Sequence, residues 1–385
     1  MRHAVLSVAL LAMSGGVFAQ GVAPPAEPAP PQAAPEGKGS PEPWRDMPYE
    51  PHVVELMRAE AARLMPQLKC LSARQFLLAT SFLLFPEDRV IYWDAKAREA
   101  LTPGEFEALP AEARGRFEAM TLTPRDYYYT RYGSPLAYAR AIEIACDYFP
   151  GRWAFQGRRV LDFGYGTIGH LRLLASIGVH AVGVDVDPRL RALYSDPEDT
   201  GVIPGIVVML EPPPDGTLTL VHGRWPAEAK AKAEVGEGYD LILSKNTLKK
   251  GYIAPEREVD PRMLVDLGVT PEEFVRAVAA ALKPGGIFLI YNLSPAQKSD
   301  PAQWVPWADG RCPFPREMLR EAGLEVLAFD VADDEAARAM GRALEWDKGP
   351  QPMDLEGDLF ALYTVVRKPA AGAPATGAGP RPAAP

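Results

Sequence analysis

Residues 159–169 read RVLDFGYGTIG, a short apolar run followed at once by a G-x-G-x-x-G pattern that begins at Gly164. The apolar run predicts a β-strand over 159–163, and the glycines predict a tight turn from that strand into a helix. A second apolar run ends at Asp185, 21 residues after Gly164. A carboxylate at that position can accept hydrogen bonds from both hydroxyls of a ribose. These features indicate a nucleotide-binding turn.

Apolar runs alternate with helical patterns from residue 159 to residue 366. The residues Thr270-Pro271-Glu272-Glu273, for example, form a capping box that predicts the start of a helix. This alternation predicts an α/β fold with a doubly wound, mostly parallel sheet. The predicted strands cover residues 159–163, 180–186, 217–222, 239–244, 287–292, 324–329 and 359–366.

The glycine pattern and Asp185 fit two classes of enzyme, a dinucleotide-binding oxidoreductase and a methyltransferase. Asp162 lies two residues before the first glycine, where its charge would repel the pyrophosphate of a dinucleotide and attract a ligand ammonium group. Residues 280–286 (AALKPGG) lead into a strongly apolar strand, and two more strands with a helix between them close the pattern. Together these features favour the methyltransferase.

Four segments, VLDFGYGTIG, VGVDVDP, YDLILSKN and LKPGGIFLIYN, occur in the order and spacing typical of one family. Over residues 155–368 the chain resembles the class I S-adenosylmethionine-dependent methyltransferases. The resemblance implies a Rossmann-like sheet of seven strands in the order 3-2-1-4-5-7-6, with strand 7 antiparallel. It also implies S-adenosylmethionine as the cofactor.

The resemblance places the cofactor on particular residues. Asp162, Gly164 and Gly166 would hold its methionine part, and Asp185 would hold its ribose. Where the family often has an acidic residue that contacts adenine, this chain has GRWP at 223–226, and Trp225 is the candidate that would stack on the base. The predicted cofactor site is completed by Tyr165 and Ser244. The candidate catalytic residues, where donor and acceptor would meet at the end of strand four, are Lys245 and Asn246.

The acceptor is predicted to be a small molecule. Residues 244–247 (SKNT) are not the N/D-P-P-Y/F tetrapeptide of methylases that act on DNA bases. The chain has a net charge of −9 and no Lys/Arg-rich run. No nucleic-acid substrate is therefore expected. Residues 244–262 leave two alternatives open, a solvated mixed-charge loop or a loop that steers an anionic acceptor. The basic residues concerned are Lys245, Lys249, Lys250, Arg257 and Arg262.

Two other functions remain alternatives. The glycine pattern by itself fits an NAD(P)-binding oxidoreductase. The second alternative is a catalytically inactive, exported nucleotide-binding module with the methyltransferase fold. Two observations suggest it: the residue expected to contact adenine is altered, and the methyl donor is made inside cells, away from an exported protein.

The ends of the 385-residue chain differ from its centre. Residues 1–19 have a basic start, a short apolar core and a small-residue cleavage site, which predict a signal peptide and an exported protein, periplasmic or secreted. A misassigned start codon would make the protein cytoplasmic instead. Residues 20–43, with eight prolines, and residues 369–385 are predicted to be disordered. Residues 44–150 are predicted to be a helical region, and residues 151–368 the methyltransferase domain.

Cysteines, histidines and apolar segments exclude further classes. Cys70, Cys146 and Cys312 allow one long-range disulfide or buried free thiols, and five scattered histidines show no metal-ligand spacing, so no metal site is predicted. The apolar segments are too short to cross a bilayer, so no stable membrane span is expected. The sequence does not indicate an oligomeric state.

Overall fold

The computed structural model describes residues 51–130, 133–149, 151, 154–206, 213–297, 300 and 303–370. The predicted signal peptide, the proline-rich linker and the tail beyond residue 370 lie outside these ranges. No helix of the described part is long and apolar enough to cross a membrane.

Strands and helices alternate through the C-terminal two thirds of the chain. The strands are β1 (Arg89–Asp94), β2 (Glu99–Leu101), β3 (Glu118–Leu122), β4 (Arg159–Phe163), β5 (His180–Asp185), β6 (Gly201–Ile203), β7 (Gly216–His222), β8 (Tyr239–Lys245), β9 (Leu282–Ser294), β10 (Glu325–Ala332) and β11 (Phe360–Arg367). The α-helices are α1 (Val53–Leu64), α2 (Leu71–Leu78), α3 (Pro103–Glu107), α4 (Ala111–Arg114), α5 (Pro124–Tyr128), α6 (Tyr138–Cys146), α7 (Gly169–Ala175), α8 (Pro188–Leu193), α9 (Ala229–Val235), α10 (Lys250–Ile253), α11 (Pro271–Ala281), α12 (Arg316–Glu321), α13 (Asp334–Ala343) and α14 (Leu355–Asp358).

The large sheet is mostly parallel and has the strand order β10-β11-β9-β8-β4-β5-β7-β6. Strands β4, β5, β7, β8 and β9 run parallel, and β11 pairs antiparallel with both β9 and β10. The seven predicted strands therefore lie in the order 3-2-1-4-5-7-6. The predicted count of seven is wrong, because β6 adds an antiparallel edge strand beside β7. With three residues, β6 is too short for a periodic sequence signal.

The predicted helical region at 44–150 is only partly helical. It contains α1 to α6 and also a second sheet, of order β2-β1-β3, in which both neighbours pair antiparallel with β1. The sequence Val90-Ile91-Tyr92-Trp93 explains the strand, because β-branched and aromatic side chains favour a half-buried pleated surface. Ile91 and Ala100 pack against Ala192 of α8, so the small sheet rests on the large domain.

One hydrophobic core joins the N-terminal helices to the large sheet. It includes Met57 of α1, Phe76 of α2 and Ile142 of α6 together with Val160 of β4 and residues of β9 and β11. The predicted boundary at residue 150 therefore does not separate two cores. A disulfide joins Cys70 to Cys146, and Cys312 is a buried free thiol.

Candidate functional site

The glycine turn after β4 is held tightly against two neighbouring segments. Gly164 has φ of 76° and Gly166 has φ of 63°, both in the left-handed region that favours glycine. The Gly164 amide donates to the carbonyl of Val184 at 2.9 Å. A Cβ atom at Gly164 would come within 2.5 Å of the Thr247 Oγ1 atom, so glycine is needed here for close approach as well as for conformation.

Asp185 ends β5 beside this turn. Its Oδ2 atom accepts from the Gly166 amide at 3.1 Å, and its Oδ1 atom accepts from the Asp187 amide at 3.0 Å. Desolvation, with a smaller contribution from the charge of Asp187, raises the pKa of Asp185 to about 6. Arg189 pairs with Asp187 at 2.6 Å, and no cation of the described residues lies within salt-bridge distance of Asp185.

Asp162 is completely buried in β4 and anchors a cluster of three side chains. Its Oδ2 atom accepts from the Tyr138 hydroxyl at 2.9 Å and from His170 Nε2 at 2.6 Å. The rings of Tyr138 and His170 stack with centroids 3.6 Å apart. Within the described part of the chain, Asp162 Oδ1 and His170 Nδ1 have no hydrogen-bond partner. The cluster therefore keeps one buried carboxylate oxygen available to a ligand donor.

The predicted residues at the end of β8 have different surroundings. Ser244 Oγ donates to the carbonyl of Phe163 at 3.3 Å, which ties β8 to β4. Asn246 has φ of 65°, and its Oδ1 atom accepts from the Leu293 amide at 2.7 Å, so its side chain links the turn to β9. Lys245 instead places its ammonium 5.3 Å from the centroid of the Tyr138 ring.

Two lysines lie near this strand end, Lys245 partly buried and Lys249 buried. Burial lowers the pKa of Lys245 to about 8, although the charge of Asp162 opposes that shift. Lys249 is 1% exposed, and its ammonium donates to the carbonyl of Leu293 at 2.5 Å. Burial, together with the charge of Lys245, lowers the pKa of Lys249 to about 7.

The other cations of the 244–262 loop are engaged at the surface. Lys250 pairs with Glu256, and Arg262 pairs with Asp260. The Arg257 guanidinium lies 4.8 Å from the centroid of the Trp304 ring. Of the five basic residues of this loop, Lys245 and Lys249 are the two that lie at the strand ends.

Two predicted cofactor residues, Trp225 and Tyr165, are buried. Trp225 is 3% exposed and contacts Phe163 and Phe274, with ring centroids 6.3 Å and 5.6 Å away. Stacking of Trp225 on an adenine stays a prediction. Tyr165 is buried and lines a cleft of about 370 Å³ between α8 and β7, together with Tyr194 and His222.

Four residues of the site were not among the predicted cofactor-binding or catalytic residues. Tyr138 and His170 reach Asp162 from α6 and α7, and Thr247 packs on the glycine turn. Lys249 was one of five basic residues in a loop, and nothing in the pattern marked it as buried. Within the described ranges, no group of three His, Cys, Asp or Glu side chains could hold a metal ion.

Comparison with known proteins gives structural matches only. No protein-family model matches the chain, and no curated protein matches it. Solved structures that match include a putative sarcosine dimethylglycine methyltransferase from Galdieria sulphuraria, with 15% identity, a TM-score of 0.34, and coverage of 56% of this chain and 80% of that one. The [4+2]-cyclase SpnF also has 15% identity and a TM-score of 0.34, over 60% of this chain and 80% of that one.

A third structure is phosphoethanolamine N-methyltransferase 2 of Haemonchus contortus, in complex with phosphomonomethylethanolamine and S-adenosylhomocysteine. It has 13% identity and a TM-score of 0.35, over 78% of this chain and 74% of that one. The chain is similar to S-adenosylmethionine-dependent methyltransferases. Similarity at this level concerns the fold and does not determine the activity of this chain.

Proposed function

We propose that this protein binds S-adenosylmethionine and transfers its methyl group to a small-molecule acceptor. The observation that carries the proposal is the pair of carboxylates beside the glycine turn. Asp162 and Asp185 lie on the adjacent parallel strands β4 and β5, and the Gly166 amide bonds directly to Asp185.

The residues present fit this cofactor. The buried Oδ1 atom of Asp162, which has no partner in the described part of the chain, suits the ammonium of the methionine part. Each oxygen of Asp185 accepts one backbone amide and keeps capacity for a ribose hydroxyl. Asp162 and Asp185 would therefore hold the two ends of the cofactor.

S-adenosylmethionine, when bound, supplies a methyl group on a positively charged sulfur. The protein's contribution is to orient the reactants and to exclude water. Tyr138 and His170 hold the Asp162 carboxylate in one position from two helices. Lys245 ends β8, where donor and acceptor would meet, and its ammonium lies 5.3 Å from the centroid of the Tyr138 ring.

An NAD(P)-binding oxidoreductase is less well supported. Phosphates are attracted to the amides of a glycine turn, but the buried charge of Asp162 lies next to this turn and opposes a pyrophosphate. An inactive module would bind the cofactor without turning it over, so binding and activity must be measured separately.

We also propose that the protein is exported. Support comes from the signal-like residues 1–19 and from the disulfide between Cys70 and Cys146, because disulfides persist in oxidising compartments.

The cofactor proposal is tested by calorimetry of the purified full chain with S-adenosylmethionine, S-adenosylhomocysteine and NAD in parallel. We expect both adenosyl compounds to bind and NAD not to bind. Asp185→Asn should weaken the binding of S-adenosylhomocysteine by about 1.5–3 kcal/mol, which is the range for hydrogen bonds to a charged group. The matched control is Asp187→Asn, which removes a charge from the same turn but keeps a helix-capping side chain.

Two outcomes would count against this proposal. Tighter binding of NAD than of either adenosyl compound would favour the oxidoreductase. Binding of S-adenosylmethionine without transfer of labelled methyl to any of a broad panel of small molecules would favour the inactive module.

A further inference from the structure

Two ammonium groups, that of Lys249 buried and that of Lys245 partly buried, lie near the C-terminal ends of β8 and β9. Lys245 is the last residue of β8 and pairs in register with Tyr291 of β9. Lys249, four residues later, reaches the carbonyl of Leu293 on the same strand β9. Their charges act on one another, since the charge of Lys245 lowers the pKa of Lys249. The two side chains thus share one region of the site.

Neither ammonium has a carboxylate partner at salt-bridge distance among the residues that the structure describes. Lys249 has the Leu293 carbonyl and, 5.4 Å from its ammonium, the centroid of the Tyr252 ring. Lys245 has the Tyr138 ring and the longer-range attraction of Asp162. A buried charge is costly unless an opposite charge compensates it.

The charges of this region leave one positive charge uncompensated. Asp162 contributes one negative charge, and Lys245 and Lys249 contribute two positive charges when both are protonated. These three charges sum to one positive charge, which a single monoanion would balance.

A hydroxyl without a partner lies in the same part of the site. Thr247, which lies between the two lysines in the sequence, is buried and contacts the glycine turn. Its Oγ1 atom has no hydrogen-bond partner in the described ranges. A hydroxyl can donate to a carboxylate oxygen beside the two ammonium groups. The site therefore offers both charge and a neutral donor to an anion.

We propose that Lys245 and Lys249 bind the carboxylate of a monoanionic acceptor. This inference rests on the proposed function, because it names the class of molecule that receives the methyl group. S-adenosylmethionine has a carboxylate of its own, but its amino-acid end also carries an ammonium and has no net charge. The experiment therefore separates the carboxylate of the donor from that of the acceptor.

The test is calorimetric titration of the full chain, with and without saturating S-adenosylhomocysteine. The probes are acetate, hexanoate and benzoate, each compared with its neutral amide. We expect at least one acid to bind about 10–100-fold more tightly than its amide, which is the range for charge-assisted hydrogen bonds. Lys249→Met and Lys245→Met should each remove that preference.

Lys250→Met is the matched control. Lys250 is the next residue, but its ammonium pairs with Glu256 at the surface, so this variant should keep the preference for the acid. Thermal unfolding of each variant checks that the chain is folded. The inference is overturned if no acid binds more tightly than its amide, or if the preference survives in both lysine variants.

Proton uptake gives a second measurement that needs no variant. Because burial lowers the pKa of Lys249 to about 7, a carboxylate that binds beside it at pH 7.5 should draw a proton onto the amine. The groups that face the two amines are Asp162, Tyr138 and Tyr252. Titrations in two cationic buffers, Tris and triethanolamine, should give apparent enthalpies of binding that differ. The expected difference is the number of protons taken up multiplied by the difference between the two buffers' ionisation enthalpies.

These measurements distinguish a failure of the proposed function from a failure of the present inference. If S-adenosylhomocysteine does not bind but the acid preference persists, the proposed function fails and the carboxylate site stands. If Lys249→Met weakens the binding of S-adenosylhomocysteine but leaves the preference for the acid over its amide unchanged, the lysine binds the carboxylate of the donor. The present inference is then wrong.

Discussion

The Nε2 atom of His170 lies 2.6 Å from the Oδ2 atom of Asp162, and both side chains are completely buried. The same oxygen accepts from the Tyr138 hydroxyl. Helices α6 and α7 therefore hold one carboxylate of β4 from two directions. The Asp162 carboxylate therefore cannot rotate without breaking two hydrogen bonds.

Asp162→Asn should destabilise the fold. An amide keeps one oxygen acceptor but loses the charge that strengthens the bonds from His170 and Tyr138. We expect a loss of about 1.5–3 kcal/mol in the free energy of unfolding, measured by urea denaturation. Tyr138→Phe, which removes one of the two donors, should cost less. Unfolding of Asp162→Asn at the same urea concentration as the wild type would contradict the importance of this cluster.

Asp199 should be a second point of high sensitivity. This completely buried carboxylate accepts from Arg89 of β1 and from the Tyr127 hydroxyl, each at 2.6 Å, and so ties the small sheet to the core. Removing one partner of a buried ion pair typically costs about 3–5 kcal/mol. Asp196, 3.0 Å from Arg89, would remain in Asp199→Ala, so we expect a loss of about 3 kcal/mol in the free energy of unfolding.

Asp196→Ala is the control for that measurement. Asp196 is 55% exposed, and exposed ion pairs contribute about 0–1 kcal/mol. Equal effects of the two substitutions on thermal and urea unfolding would show that the buried position of Asp199 is not what matters.

The large sheet could be predicted because its strands leave local signals. Residues 159–163 form β4 with the predicted bounds, and Thr270 caps α11 through the predicted capping box. Apolar periodicity and capping depend on residues close together in sequence, so they can be recognised without tertiary contacts. The order of the strands came from the resemblance to a family.

The remaining features depend on contacts between distant residues. Tyr138 reaches Asp162 across 24 positions, and Asp199 reaches Arg89 across 110 positions. The burial of Lys249 depends on Leu293 of β9, while its neighbour Lys250 pairs with Glu256 at the surface. Adjacent residues of the same type thus have opposite environments, which composition and spacing cannot distinguish.

Binding of S-adenosylhomocysteine should depend on pH through Asp185. Its pKa is raised to about 6, so the carboxyl group is ionised at pH 7.5 and protonated at pH 5. The ionised form accepts hydrogen bonds from ribose hydroxyls more strongly, so affinity should fall as pH falls through 6, by up to about tenfold per unit below it. Calorimetry between pH 5 and 8 measures this profile.

The profile has an internal control. Asp185→Asn carries no titratable group at this position, so its weaker affinity should stay nearly constant over the same range. Asp187 and Arg189 remain in both proteins and pair with each other. An equal fall in affinity below pH 6 in both proteins would assign the titration to another group.

Loss of the disulfide should lower stability. Cys70 and Cys146 are 76 residues apart, and cross-linking a loop of that length restricts the unfolded chain by an amount equivalent to about 4 kcal/mol. The variant with both cysteines replaced by serine should unfold at a lower urea concentration than the oxidised wild type. A reductant should lower the stability of the wild type and leave the stability of the variant unchanged. If the reductant does not change the stability of the wild type, the prediction is wrong.

The native N-terminus decides where the protein acts. Residues 1–19 present a basic residue, an apolar core and a cleavage site in the order that a secretory signal requires, and a proline-rich segment follows directly. A misassigned start codon would have no reason to produce that order. We therefore expect mass spectrometry of the native protein to give a first residue at or near Gln20, in the periplasmic or secreted fraction. A chain that begins at Met1 or at Met47 would place the protein in the cytoplasm, where the methyl donor is made.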